Sequence, residues 1–402
     1  MVRRSVLAMF AVMAIVLGFV VVSTPAGAVV DDAIVVSSPN AGTGSNVLLS
    51  VSCVSASDCV AVGYAADSVD QTLSMVWDGS VWSIVSSPNV GTYGNYLNSV
   101  SCVTVSDCVA VGFTYTGSAS ETLVMVWDGS VWSIVSSPNV GTGSKVLLSV
   151  SCVSVSSCVA VGYRDTGSAF ETLVMVWDGN VWTVVLSPNA GTNDEELYSV
   201  SCVSVSECVA VGLTNAGSAQ ETLVMTWNGS VWEIVSSPND GTENNALVSV
   251  SCVSVSSCVA VGYTYTGSAT ETLVMTWNGS AWEIVSSPND GTGDNALYSV
   301  SCVSASDCVA VGYMDTGSAR ETLVMVWNGS VWSIVPSPNA GTITDELFSV
   351  SCVSASDCVA VGSTNTGNNI YETLVLSLTG PVPPSTTTTT VSPDQVVPAF
   401  TG

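Results

Sequence analysis

Short apolar runs separated by polar turn residues recur along most of the chain. In one stretch the runs are residues 96–103, 108–113, 122–127 and 131–136, and the turns between them contain Ser-Asp, Thr-Gly-Ser and Asp-Gly-Ser. Runs of this length, rich in Val, Ile, Trp and Tyr and bounded by such turns, predict β-strands joined by hairpins. No segment has helical periodicity. We therefore expect an all-β chain of antiparallel strands.

The strands recur as a repeat of about fifty residues. The string SCVSASDCVAVG at 52–63 returns as SCVTVSDCVAVG at 101–112 and has further copies that begin at Ser151, Ser201, Ser251, Ser301 and Ser351. Runs such as 108–112 and 123–127 are apolar on both faces of the strand, so each sheet needs a neighbour on either side. Four antiparallel strands in each of seven such repeats are typical of a β-propeller.

The two ends of the repeat array complement each other. The seventh copy enters a Pro/Thr-rich segment after its third strand and lacks the fourth-strand sequence VWSIVSSPN, whereas residues 34–40, IVVSSPN, align with residues 83–89. A ring that closes in this way leaves no open sheet edge. The sequence thus predicts a closed seven-bladed β-propeller of four-stranded antiparallel blades, whose last blade is completed by the N-terminal strand.

The segment VMVWDGSVWSIVSSP at 124–138 carries a family resemblance. A small-residue second strand ending in Gly, a third strand, a tight turn and a fourth strand that opens with Trp resemble a blade of the kelch or galactose-oxidase type. The chain departs from kelch by one Gly in place of Gly-Gly and by its paired cysteines. It is also similar, more loosely, to uncharacterised secreted repeat proteins of actinobacteria. The resemblance implies the same propeller fold.

The remaining segments predict an exported protein. Arg3 and Arg4, an apolar stretch over 6–22 and the small residues at 26–28 predict that 1–28 is a cleaved signal peptide, the alternative being an uncleaved anchor. The propeller then spans 29–380, and 381–402 is a disordered Pro/Thr-rich tail or stalk. The end of the tail faintly resembles a sortase sorting signal, by chance or because the chain is a fragment. We expect a secreted monomer, either free or attached to the cell surface.

Charge and composition exclude several classes of function. Without residues 1–28 the chain keeps three basic residues against 32 acidic ones, a net charge of 3 − 32 = −29, which disfavours nucleic acid and membrane surfaces as partners. With no histidine, there is no His-based triad, general base or metal ligand. We expect no cofactor, no membrane insertion after signal cleavage and no resident metal, although a weak calcium site at the acidic loop 193–196 stays open.

Fourteen cysteines fall into seven pairs, each six residues apart. Each pair flanks the turn between the first and second strands, where two thiols can meet across a hairpin, and in an exported chain this predicts disulfides rather than a metal site. The pairs are Cys53/Cys59, Cys102/Cys108, Cys152/Cys158, Cys202/Cys208, Cys252/Cys258, Cys302/Cys308 and Cys352/Cys358.

Twelve tryptophans form six pairs that bracket the turn between the third and fourth strands. Such rings can fill the wedge between neighbouring blades or, at a rim, stack on sugars, and we expect packing to be their role. A Glu at the start of the third strand, as at Glu121, recurs in most repeats. We interpret it as a structural acceptor, because near-identical repeats offer a catalytic pair no asymmetry.

Differences between the repeats concentrate in the turn between the second and third strands. If successive strands alternate in direction, this second turn shares one face with the crossovers between repeats, and loops on a fixed scaffold commonly carry recognition. We predict a ligand site there, for a glycan or an extracellular protein, without catalysis. The alternatives are a hydrolase or lyase acting on polysaccharide and neutral drift. The candidate residues are Tyr115, Arg164, Asp165, Tyr265, Met314 and Arg320.

Overall fold

The computed structural model describes residues 30–215, 217–365, 367 and 369–380. The predicted signal peptide and the predicted tail therefore lie outside the described residues. Every regular element in the described part is a β-strand, so the all-β prediction is confirmed. This part of the chain contains no helix that is long and apolar enough to cross a membrane.

Each repeat contributes a first, a second, a third and a fourth strand. The first strands are β2 (Ser45–Ser55), β6 (Asn95–Thr104), β10 (Lys145–Ser154), β14 (Glu195–Ser204), β18 (Asn245–Ser254), β22 (Asn295–Ser304) and β26 (Thr344–Ser354). The second strands are β3 (Asp58–Ala66), β7 (Asp107–Tyr115), β11 (Ser157–Asp165), β15 (Glu207–Asn215), β19 (Ser257–Tyr265), β23 (Asp307–Asp315) and β27 (Asp357–Asn365).

The third strands are β4 (Asp70–Trp77), β8 (Ser120–Trp127), β12 (Phe170–Trp177), β16 (Gln220–Trp227), β20 (Thr270–Trp277), β24 (Arg320–Trp327) and β28 (Tyr371–Thr379). The fourth strands are β5 (Trp82–Ile84), β9 (Trp132–Val135), β13 (Trp182–Val185), β17 (Trp232–Val235), β21 (Trp282–Ile284) and β25 (Trp332–Val335), with β1 (Asp32–Val35) in the corresponding place for repeat 7. Repeat 1 is thus β2–β5, and repeat 7 is β26–β28 with β1.

The strands form five four-stranded antiparallel sheets and one eight-stranded sheet. The eight-stranded sheet consists of repeats 6 and 7, which are joined by a single parallel pairing between Arg320 and Thr344. In repeat 7, β1 pairs with β28 and places Ala33 opposite Leu378, where the other repeats place two tryptophans opposite each other. The prediction that the N-terminal strand completes the last repeat is therefore confirmed.

The first strands are innermost, because each packs against the first strands of both neighbouring repeats. Serine side chains join them. The Ser50 hydroxyl accepts a hydrogen bond from the Val100 backbone N–H of the next repeat at 3.1 Å, and this contact recurs from repeat to repeat. The Ser349 hydroxyl of repeat 7 accepts one from the Val51 N–H of repeat 1, also at 3.1 Å. The first and last repeats therefore meet as consecutive repeats do.

The apolar core lies between neighbouring sheets rather than within one sheet. In one cluster Val60 and Val62 of repeat 1 pack against Leu97, Met125 and other side chains of repeat 2. The single glycine that ends each SCV…AVG string has a steric role, since a Cβ at Gly112 would lie 2.0 Å from the backbone oxygen opposite. The first strand bulges beside this glycine and approaches it so closely that only hydrogen fits.

Candidate functional site

The two faces of the array are made of different turns, as the alternation of strands predicts. On one face the Trp77 indole N–H donates to the Ala56 carbonyl at 3.1 Å, which joins the third turn to the first turn. We call this the invariant face. On the other face the Tyr115 backbone N–H donates to the Gly94 carbonyl at 2.8 Å, which joins a second turn to a crossover. This is the variable face.

The invariant face contains the disulfides. All seven predicted cysteine pairs are bonded, and in each pair the two Cα atoms lie 4.0 Å apart across the first turn. The disulfide prediction is thus confirmed, and seven such bonds favour an oxidising, extracellular compartment.

The two cysteines of a pair differ in burial. The second cysteine of each pair is only 1–4% exposed and belongs to the apolar core between repeats. The reason is that it lies on the second strand, which is covered on both faces. These sulfurs therefore contribute to the packing between repeats. The buried members are Cys59, Cys108, Cys158, Cys208, Cys258, Cys308 and Cys358.

The tryptophan pairs divide into two roles. The second member of each pair is only 3–5% exposed and packs between repeats, as predicted. The first member donates its indole N–H to a first-turn carbonyl, as Trp227 does to Val205 at 3.3 Å. Most of these first members are partly exposed. Two of them, Trp227 and Trp277, line an apolar pocket of about 220 Å³ between repeats 4 and 5.

The six candidate residues all lie on the variable face but belong to repeats 2, 3, 5 and 6, so the structure does not gather them into one pocket. Tyr115 and Tyr265 are exposed, at 42% and 39%. The Asp165 carboxylate accepts a hydrogen bond from the Gly167 N–H at 2.7 Å and so shapes its own turn. Met314 lines a pocket of about 480 Å³ between a crossover and a second turn.

Both candidate arginines already have carboxylate partners within the chain. Arg164 pairs with Glu171 at 2.7 Å, and both side chains are more than one-third exposed. Arg320 pairs with Glu346 of the next repeat at 2.5 Å, and its guanidinium carbon lies 4.4 Å from the centre of the Tyr313 ring. Each guanidinium therefore already has a carboxylate partner within the chain and is not an unpaired charge for a ligand.

Sequence reasoning missed a second set of varying residues, which we call the inner rim. They lie at the variable-face end of the innermost strands and on the second strands beside them. The first-strand members are Val47, Tyr96, Val146, Glu196, Ala246, Ala296 and Glu346, and, two positions further on, Leu49, Asn98, Leu148, Tyr198, Val248, Tyr298 and Phe348. The second-strand members are Tyr64, Phe113, Tyr163, Leu213, Tyr263, Tyr313 and Ser363. Their variation within otherwise repeated strands was the signal that could have revealed them.

A pocket of about 420 Å³ opens on the variable face between repeats 1 and 2. Tyr93, Tyr96, Phe113 and Tyr115 supply four aromatic rings to its lining, and Asp70 supplies a carboxylate. Tyr96 stacks on Phe113 with ring centres 4.6 Å apart, and Tyr93 meets Tyr115 edge to face at 5.8 Å. The pocket therefore joins the predicted Tyr115 to inner-rim residues that the sequence analysis did not identify.

The polar groups of this pocket are fixed. The Tyr96 hydroxyl donates a hydrogen bond to the Asp70 carboxylate. Burial raises the pKa of Tyr96, and the hydrogen bond and charge of Asp70 raise it further. Tyr96 therefore keeps its proton at any physiological pH and donates it in the hydrogen bond to Asp70.

A carboxylate marks the inner rim between repeats 3 and 4. Glu196 is partly buried, and its pKa is raised mainly by burial and by the nearby Asp194, against a lowering effect of a hydrogen bond from Tyr198. Its charge in turn raises the pKa values of Tyr163 and Tyr263, beyond the main effect of burial on each. Tyr163, Tyr198 and Tyr263 therefore all lie within electrostatic range of this carboxylate.

Side chains of the acidic loop at 193–196 make hydrogen bonds within the chain. Asp194 accepts the Phe170 N–H at 2.9 Å, and one oxygen of the fully buried Glu195 accepts the Gly191 N–H at 2.7 Å. In the described part of the chain, no group of three or more Cys, Asp or Glu side chains is placed to hold a metal ion.

Comparison with known proteins supports the fold alone. No protein-family model and no curated protein matches the chain. The structure of YCF48 bound to D1 peptide is similar over 87% of this chain and 97% of its own, with a TM-score of 0.54 and 15% sequence identity. A protein of unknown function from Dyadobacter fermentans is similar over 88% of this chain and all of its own, with a TM-score of 0.50 and 11% identity.

A looser likeness, at a TM-score of 0.45 and 16% identity, links 73% of this chain to 96% of the Aleuria aurantia lectin, solved with a fucosylated sugar. A TM-score this low does not support any conclusion about this chain. The similar structures and the strand layout together show a fold of the β-propeller type. The resemblance to kelch blades stays a prediction.

Proposed function

We propose that the protein is a closed seven-bladed β-propeller, secreted or attached to the cell surface, that acts as a binding module. Its ligand, a glycan or an extracellular protein, docks on the variable face. The observation that carries the proposal is the pocket between repeats 1 and 2, where four aromatic side chains and one carboxylate line about 420 Å³. Aromatic faces with a few fixed polar groups are typical of recognition sites.

The contacts between repeats 7 and 1 support closure. The serine contacts there match those at the other junctions, and β1 completes the last sheet. Closure matters for function because it holds the second turns and crossovers on one rigid frame. Their side chains can then differ from repeat to repeat without altering the scaffold.

The absence of catalysis belongs to the proposal as well. Asp70 is held by the Tyr96 hydroxyl, and the repeated Glu121 position lies on the exposed surface. Neither arrangement presents two carboxylates in contrasting environments, as glycoside hydrolysis requires.

Arrays of glycans and of peptides, probed with residues 29–402, test the proposal. We expect binding to at least one class of probe, and loss of that binding in the double variant Tyr93→Ala/Tyr115→Ala with an unchanged thermal midpoint. Val131→Ala is the matched control, because this side chain is 54% exposed but lies on the invariant face. Blank arrays, or full binding by the double variant, would contradict the proposal.

The same protein should release no reducing or unsaturated sugar ends from a panel of polysaccharides. Turnover that stops when one carboxylate is changed to its amide would establish the enzyme alternative instead.

A further inference from the structure

The junction between repeats 6 and 7 shows how this scaffold holds a guanidinium group. Arg320 lies over the Tyr313 ring, with its guanidinium carbon 4.4 Å from the ring centre, and reaches the Glu346 carboxylate at 2.5 Å. Tyr298 packs against Tyr313, with ring centres 5.6 Å apart. An aromatic face and a carboxylate from adjacent repeats thus clamp one cation.

The junction between repeats 3 and 4 has the same framework without the cation. The strand registers coincide, with Tyr163 opposite Thr172 as Tyr313 is opposite Thr322. By position in the repeat, Tyr163 corresponds to Tyr313, Glu196 to Glu346, Tyr198 to Phe348 and Phe170 to Arg320. The arginine position is therefore occupied by a phenylalanine, and the carboxylate is retained.

Phe170 packs on Tyr163 with ring centres 4.9 Å apart and so takes the place that the guanidinium has over Tyr313. Glu196 consequently lies within electrostatic range of three tyrosines. Among the described residues its carboxylate has no ion-pair partner, since the two ion pairs there are Arg164–Glu171 and Arg320–Glu346. The two nearest repeats offer no substitute, because Arg164 is paired with Glu171 and the Lys145 ammonium donates to the Gly141 carbonyl at 2.7 Å.

A partly buried carboxylate without a cation is stabilised when one arrives, because the ion pair forms where water screens it weakly. Tyrosine rings beside it add cation–π attraction. The net charge of −29 of the chain without residues 1–28 steers cationic partners towards it.

We propose that Glu196, with Tyr163, Tyr198 and Tyr263, forms a receptor for an arginine side chain on an extracellular protein. The inference rests on the proposed function, since it gives the binding module a protein ligand with an exposed arginine. Because Phe170 already packs on the Tyr163 ring, the guanidinium reaches Glu196 beside that ring rather than over it.

The test titrates the protein at low salt with an acetylated and amidated Gly-Arg-Gly peptide and with the same peptide containing citrulline, which keeps the shape but loses the charge. Binding is followed by calorimetry and by NMR. We expect the arginine peptide to bind at least about tenfold more tightly than the citrulline peptide, with one site per chain. A lysine peptide should fall between the two, because ammonium lacks the planar fork of guanidinium.

Glu196→Gln should abolish this preference. Glu221→Gln is the matched control, because it removes the same charge from an exposed side chain of the same repeat and should leave the preference intact. Equal binding of the arginine and citrulline peptides, or equal losses in the two variants, would overturn the proposal.

Arg320→Ala gives an independent test that does not depend on the folding of the Glu196 variant. It vacates the clamp of Tyr313 and Glu346, so the number of arginine-peptide sites should rise from one to two, and adding Glu346→Gln should return it to one. A stoichiometry that stays unchanged would count against the clamp as a template.

The outcomes separate the two proposals. If the arrays show binding but Glu196→Gln leaves the preference for the arginine peptide unchanged, this inference is overturned and the proposed binding module stands. Blank arrays would overturn the module itself. If Glu196→Gln loses binding to a neutral glycan, the site binds a sugar rather than arginine.

Discussion

The invariant and variable faces are built from the same repeats but by different kinds of contact. On the invariant face the polar contacts of the turns stay within one repeat: a disulfide crosses the first turn, an indole N–H reaches a first-turn carbonyl, and Asp128 caps its own turn through the Ser130 and Val131 N–H groups at 2.9 Å. Each repeat therefore satisfies the polar groups of these turns by itself.

On the variable face several key contacts cross from one repeat to the next. Tyr64 of repeat 1 meets Tyr96 of repeat 2 at 5.1 Å, and Arg320 of repeat 6 reaches Glu346 of repeat 7. Because the residues that make these contacts differ from repeat to repeat, the junctions differ in their side chains. One array of repeats therefore combines a uniform frame with different side chains at each junction.

The largest effect should come from breaking the frame on which both faces rest. Deleting residues 31–40 removes β1, exposes the edge of β28 and removes the Asn40 side chain that accepts the Thr373 N–H at 2.8 Å. We expect a loss of about 4 kcal/mol or more in unfolding free energy, with aggregation through the open edge. Urea unfolding and light scattering measure both. A deletion variant as stable and soluble as the parent would contradict the role given to β1.

On the invariant face, the two tryptophans of one repeat differ in burial, so their substitutions should differ in cost. Trp232 is 4% exposed and packs between repeats 3 and 4, so Trp232→Ala should cost about 3–5 kcal/mol. Trp227→Ala, in the same repeat but partly exposed, should cost about half as much. Denaturant unfolding gives both values. Ligand binding on the variable face should survive both changes wherever the variant is folded, and its loss from a folded variant would place the ligand on the invariant face.

The two arginines of the variable face should differ in stability. Arg320→Ala leaves Glu346, whose side chain is 11% exposed, without its partner, and should cost about 2 kcal/mol. Arg164→Ala opens an ion pair whose members are 39% and 35% exposed and should cost about 0.5 kcal/mol or less. Thermal and urea unfolding of the two single variants test the difference. Equal costs would mean that contacts across the junction do not hold this face together.

The smallest effect concerns pH. Burial raises the pKa of Glu196 above its ordinary value of 4.5. Between 4.5 and the raised pKa the folded chain binds more protons at this site than the unfolded chain, so this group makes stability fall as pH rises. Glu196→Gln removes the effect. The unfolding free energy of this variant relative to the parent should therefore rise between pH 4 and pH 7, by about 0.5 kcal/mol or less because solvent screens the group. Unfolding at several pH values measures the gain, and a variant that tracks the parent at every pH would contradict the prediction.

Much of the fold could be predicted from the residues because the information is local and repeated. The Asp-Gly and Asn-Gly turns, the six-residue spacing of the cysteines and the apolar runs each specify a hairpin without reference to the rest of the chain. The match between 34–40 and 83–89 predicted that the N-terminal strand takes the fourth-strand place beside β28, and there Ala33 lies opposite Leu378 as Trp82 lies opposite Trp77 in repeat 1.

The cysteines show where local information ends. Their spacing predicted each bond, but it did not predict that Cys108 is 2% exposed and Cys358 1% exposed. Side chains of the preceding repeat, about fifty residues earlier in the chain, cover each of these sulfurs. The pairing is a property of one hairpin, whereas the burial is a property of the packed array.

The candidate site was predicted only as far as the face on which it lies. Tyr115 is part of an aromatic pocket, but Tyr93 and Tyr96, which share it, lie in a crossover and in an inner strand. Arg164 and Arg320 drew attention as rare cations, whereas the structure gives each of them a carboxylate partner. Partners such as Glu346 are 26 residues away from Arg320 in the chain and belong to the next repeat.

The sequence by itself determined the strands, the turns, the disulfides and the way in which the ends meet, because each follows from residues close together or from a repeated register. Only the tertiary structure decided which side chains share a junction, which charges are already neutralised and which carboxylate remains among aromatic rings. Those properties depend on how neighbouring repeats pack. Packing brings together residues that no pattern along the chain connects.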